Sequence, residues 1–113
     1  MKTIKPFEKE IYQNPHGVDS RKLYDDPNAI IIQITLEPGE KLRKHITPED
    51  VIFYVLEGKG IVLIGVEEKE VDKDTLIESP KNIVHCWFNR YNENLRFLVI
   101  KTPKPTIPTK FLE

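Results

Sequence analysis

Residues 45–60 read HITPEDVIFYVLEGKG, and the apolar run at their centre, positions 51–56, decides the fold. A strand that is apolar on consecutive positions is covered on both faces, because a half-exposed strand alternates apolar with polar residues. This segment therefore belongs in the middle of the molecule. His45 and Thr47, two residues apart, share a face and lead straight into the wall formed by 51–56, which is how a lined pocket begins.

Outward from this stretch, AIIIQITL (29–36) puts Ile30, Ile32, Ile34 and Leu36 on one face and Ile31, Gln33 and Thr35 on the other. The runs IVLIGV (61–66) and LRFLVI (95–100) are again apolar on nearly every position. Shorter strands are expected over 18–24, 75–79 and 83–90. Glu37-Pro38-Gly39-Glu40 has Pro and Gly where a type II turn wants them. Residues 57–60, with two glycines, are expected to close a hairpin between 51–56 and 61–66, and Glu67-Glu68-Lys69-Glu70 to make the next reversal. Asn14-Pro15-His16-Gly17 is a turn, with His16 exposed in it and outside any ligand set.

No window of eleven or more residues keeps a helical period, and turn signals recur at roughly 8–12 residues, the spacing of an all-β sandwich or barrel. A single domain over 1–113 is expected: a core barrel over about 18–103, an extended N-terminal arm over 1–17 and a Pro-rich C-terminal arm over 104–113. In a barrel of this size one apolar face fills or lines the lumen. The other face needs cover, and a homodimer supplies it.

The 113 residues carry a formal charge of −1 with Lys and Arg spread along the chain, so no basic stripe predicts a nucleic-acid partner. The longest apolar runs are far too short to span a membrane and the first residues lack the apolar centre of a signal peptide, which makes the cytoplasm the expected location. The single cysteine, Cys86, excludes an internal disulfide and any multi-thiolate zinc site. Charged residues are 31% of the chain and dominated by Lys and Glu, a composition more often seen in heat-adapted proteins.

His45 and His85 stand out as chemistry, the second within PKNIVHCWFN (80–89). Taken singly, each reads first as a hydrogen-bonded core residue. Taken together with their flanks, the two segments resemble the cupin family. Its first motif is G, five residues, H-x-H, three or four residues, E, six residues, G, against which stand Gly39, His45, Thr47, Val51 and Gly58. Its second is G, five residues, P-x-G, two residues, H, three residues, N, against which stand Asp74, Pro80, Asn82, His85 and Asn89. PGE, FYVLEGKG and FLVIKTP are similar to wording in small cupins, and the resemblance spans about residues 30–103.

The resemblance implies a double-stranded β-helix or jelly-roll barrel. Asp74 and Asn82 replace glycines, a mild change, since Asp and Asn tolerate the left-handed conformation. The family's metal is held by the two His and the Glu of the first motif and the His of the second. Here Thr47 and Val51 occupy two of those positions, so only His45 and His85 remain. Two imidazoles and waters would hold Zn, Fe, Mn or Ni weakly. Glu49, Asp50 and Glu78 are read as solvated charges rather than a third ligand, and Cys86, facing away from His85, as a small core residue.

Trp87 shares the face of His85, and Phe53 that of Val51. The expected site is therefore an apolar lumen lined by His45, Thr47, Val51, Phe53, His85 and Trp87 that takes a small organic ligand beside a degenerate metal site. Three other functions stay open. One is a metal-dependent oxygenase or isomerase using His45 and His85, a second a metal-free isomerase or epimerase using a histidine as acid or base, and a third a purely structural dimer module.

Overall fold

The structure, a computed structural model, describes residues 1–112. Ten strands follow one another: β1 (Asp19–Asp26), β2 (Ala29–Leu36), β3 (His45–Ile46), β4 (Val51–Glu57), β5 (Lys59–Ile64), β6 (Glu67–Asp72), β7 (Leu76–Ser79), β8 (Val84–Phe88), β9 (Leu95–Lys101) and β10 (Lys110–Phe111). They form two antiparallel five-stranded sheets, in the orders β1-β2-β9-β4-β7 and β10-β3-β8-β5-β6. This is the all-β jelly-roll barrel that the two motifs imply. Among the described residues no helix is long and apolar enough to cross a membrane.

The core follows from strand alternation. Across the first sheet, Ile32, Val99 and Phe53 lie in register, as do Ile34, Phe97 and Val55, and all six are buried. They meet Val62 and Trp87 of the second sheet. The opposite face of β4 is covered less than its sequence suggests, with Ile52, Tyr54 and Leu56 only half-buried. Ile31, Ile100 and Ile52 form a half-buried apolar row across that outer face.

Two expected reversals fall elsewhere. Residues 57–60 do not close a hairpin: β4 pairs with β7 and β9, while β5 pairs with β6 and β8, so the chain turns a corner there and changes sheet. The glycines are needed for close approach. A Cβ on Gly58, whose φ is 84°, would lie 2.2 Å from the Asn94 carbonyl oxygen, and one on Gly60 would lie 2.4 Å from Leu95. Likewise, Glu67-Glu68-Lys69-Glu70 is strand rather than turn. The reversal is the two-residue Gly65-Val66, with Gly65 at φ 63° as its first central residue, and the charges lie on an edge strand.

Asp74 and Asn82 have φ of 63° and 62°, the left-handed conformation for which those residue types stand in for glycine. The buried Asn89 ties a corner of the barrel, its amide donating to the carbonyls of Leu36 at 2.9 Å and Glu93 at 2.8 Å. The two terminal segments are not plain extended chain. Pro6–Glu8 makes one 3₁₀ turn and the Arg21 guanidinium donates to the Lys9 carbonyl at 3.1 Å, while β10 pairs with β3 at a sheet edge. Edge placement suits a segment rich in proline.

Candidate functional site

β3 and β8 run side by side with His45 directly opposite His85, and the ring centroids are 4.3 Å apart. Phe53, from the facing sheet, lies 5.4 Å from the His85 ring. These three and Val51 line a cavity of about 70 Å³. Thr47 stands just behind it, its hydroxyl 3.3 Å from His85 Nε2. Trp87 lies one layer deeper: fully buried, it stacks on Phe97 at 4.2 Å and does not reach the cavity wall. Most of the expected lumen is therefore packed core. A wider groove of about 470 Å³ runs outside, lined by β6, β7 and their neighbours, and contains no histidine.

His16 corrects its sequence reading. The turn folds over the barrel mouth, so this ring is half-buried and packs 5.0 Å from His45, and both are covered by Phe111 of β10. Lys101 is a second residue the sequence reading passed over. It belongs to the inward row of β9 after Leu95, Phe97 and Val99, in register between the buried Ile30 and Val51, and it lines the same cavity. Its parity with those three residues was the available signal.

The hydrogen bonds set what each ring can do. His85 Nδ1 lies 2.7 Å from Ser79 Oγ and its Nε2 faces Thr47, so both nitrogens are committed to buried hydroxyls. His45 Nδ1 lies 2.6 Å from the Arg43 carbonyl, which can only accept, so the proton sits on Nδ1 and Nε2 keeps its lone pair. His16 Nδ1 accepts from the Arg43 N–H at 2.9 Å, which leaves its proton on Nε2.

Burial, reinforced by the neighbouring cations, holds the three histidines in the neutral form. His85 is pushed down to about 3 by desolvation first and then by His45, Lys101 and His16, and His16 to about 4 by desolvation and then His45, Arg43 and Lys101. His45 and Lys101 are also lowered, chiefly by desolvation.

Metal ligation fits this donor set poorly. Both His85 nitrogens are engaged, no carboxylate lines the cavity, and among the described residues no group of three or more His, Cys, Asp or Glu has the geometry to hold an ion. Asp50 accepts from the Lys81 N–H at 2.9 Å on the surface, Glu78 is exposed, Glu49 is only partly covered outside the cavity, and Cys86 is buried.

A family model described as Cupin domain matches residues 32–101. An uncharacterized protein of Streptomyces coelicolor is 27% identical over 55 residues, 49% of this chain and 51% of its own, so the match spans about half of that relative. The polyketide cyclase RemF from Streptomyces resistomycificus superposes with a TM-score of 0.85 at 21% identity, over 100% of this chain and 86% of its own. A predicted oxalate decarboxylase from Thermotoga maritima gives 0.80 at 19% identity, over 91% and 100%. At such identities the shared feature is the fold.

Proposed function

The chain belongs to the cupin domain family, and from that premise we propose that it binds a small organic ligand in the histidine-lined cavity without a tightly held metal. The observation that carries this reading is the double engagement of His85 by Ser79 and Thr47. A metal ligand must offer a lone pair, and in this pair of histidines only His45 Nε2 is uncommitted, so a divalent ion there would be bound weakly and mainly by water. The cavity is small for a ligand pocket, which limits the occupant to a few heavy atoms. The row Ile31, Ile100 and Ile52 supports a homodimer as the working form, because an apolar sheet face is stabilised by burial.

The test is elemental analysis of protein purified without added metal, beside native mass spectrometry for a retained small molecule. A retained organic molecule and substoichiometric metal are expected. One equivalent of tightly held metal refutes the reading.

A specific observation favours metal-free proton transfer as the second reading. The Arg43 carbonyl does for His45 what an orienting carboxylate does elsewhere: it fixes the tautomer and leaves Nε2 as a base at the cavity. Conversion of a keto or sugar-like substrate that His45→Gln abolishes, and that chelators leave intact, would establish it over simple binding.

A further inference from the structure

Lys101 brings a charged group to the cavity, and among the described residues no carboxylate is paired with it. Strand parity turns it inward between Ile30 and Val51, where a solvated lysine has no reason to be. The ion pairs among the described residues are Arg21–Asp19, Arg90–Glu68, Arg96–Glu57 and Lys104–Asp25, none of which reaches it. No Asp or Glu lines the cavity. Lys101 is half-buried, and covering an amine without a counter-charge is costly, so such groups are found paired or are themselves made for a ligand. A second donor stands nearby: with Nδ1 occupied by the Arg43 N–H, His16 presents its N–H from Nε2. Tyr12, Ser20, His45 and His85 add polar groups to the wall, and the rest of it, with Ile32, Val51, Phe53 and Val99, is apolar.

We propose that the cavity takes a small organic carboxylate, its oxygens on the Lys101 ammonium and the His16 N–H and its carbon end against Val51, Phe53 and Val99. This rests on the ligand-binding reading above and names its ligand class. An inorganic anion satisfies the donors but leaves the apolar wall unmatched, and a neutral molecule leaves the amine unpaired. About 70 Å³ holds little more than the volume of two waters, at about 30 Å³ each, which restricts the acid to a short one of acetate to pyruvate size.

Calorimetric titration of the 113-residue chain with acetate, glyoxylate and pyruvate, against acetamide, pyruvamide, chloride and phosphate, tests it, repeated on Lys101→Met and Lys101→Arg. The acids should bind saturably, with the amides and inorganic ions at least about tenfold weaker. Lys101→Met should lose at least about tenfold in acid affinity, and Lys101→Arg should keep most of it. Because Lys101→Met removes a half-buried amine that has no counter-charge among the described residues, its melting temperature should be no lower than the native one.

Amides or inorganic ions binding as well as the acids would overturn the carboxylate assignment and leave the ligand-binding reading standing. So would undiminished acid binding by Lys101→Met. No binding by any probe, together with no molecule retained in native mass spectrometry, would overturn both. Should Lys101→Met fail to fold, the acid-to-amide ratio on the native chain and on Lys101→Arg still decides.

Discussion

Ser79 Oγ lies 2.7 Å from Nδ1 of His85, and both residues are buried. The hydroxyl comes from the last residue of β7 and the imidazole from β8, in the other sheet, so one short hydrogen bond joins the two sheets beside the cavity. Removing it leaves a buried ring nitrogen without a partner, which costs about 1–3 kcal/mol. Ser79→Ala should therefore destabilise by about that amount in urea unfolding. Thr47→Val, which keeps the shape and removes the weaker 3.3 Å partner, should cost less. The reverse order would show that the Ser79 hydroxyl is not what anchors the ring.

The histidines make stability fall in mild acid. In the unfolded chain His85 titrates near 6.5, and in the folded protein it is held down to about 3. Its contribution is fully present above pH 6.5. Below that the unfolded chain takes up a proton that the native ring refuses, so stability is lost as pH falls toward 3, at about 1.4 kcal/mol per pH unit for one proton. Roughly 2 kcal/mol should disappear between pH 6.5 and 5 from His85, and His16, which is half-exposed, should add less. Urea midpoints across this range should show the slope, and His85→Gln should flatten it. A native protein equally stable at both pH values would contradict the buried neutral ring.

Two glycines with similar dihedrals should respond differently to alanine. Gly39 has φ 89° with nothing within 4 Å of an added Cβ, whereas Gly58 has φ 84° with the Asn94 carbonyl oxygen 2.2 Å away. Gly39→Ala pays only for the left-handed backbone, about 1–2 kcal/mol. Gly58→Ala pays that and must also displace the chain entering β9, so it should cost clearly more. Equal unfolding free energies for the two variants would remove the close approach as the reason the chain can change sheets at this corner.

That corner also marks where the sequence stops being readable. The interior rows of 29–36, 51–56 and 95–101 are legible because alternation and continuous apolar runs are local properties. A glycine pair at 58 and 60 is ambiguous, since a hairpin and a sheet-changing corner need the same freedom, and only the distant Leu95 tells them apart. Charged Glu67–Glu70 reads as a loop because an edge strand exposed on both faces loses its alternation. At the site, the spacing of His45 and His85 was legible and their facing registers agree with it. His16 was not, because it reaches the cavity from a segment whose local signal is a turn, and the role of Ser79 was not, because its partner His85 lies in the other sheet. Lys101 was legible in principle: its parity with Val99 places it inward, but at the end of an apolar strand a lysine reads as the point where the chain returns to water.

The chain departs from its family's metal set at two positions. Thr47 and Val51 are each 1% exposed and flank His85 and the cavity, so they sit where donors would be needed. Thr47→His removes the hydroxyl that occupies His85 Nε2 and adds an imidazole, and Val51→Glu adds the carboxylate that no cavity-lining residue supplies. With His45 and His85 the double variant offers four donors of the types that hold zinc, nickel or iron. Without metal it should be less stable than the native chain, because a carboxylate replaces a buried valine. With zinc or nickel it should regain stability by mass action, about 2.7 kcal/mol at a hundredfold excess over Kd, and elemental analysis should find close to one ion per chain. The native protein under the same conditions should gain little. A metal-induced rise in melting temperature as large in the native chain as in the double variant would mean that His45 and His85 suffice, and that the hydroxyls on His85 yield to a metal.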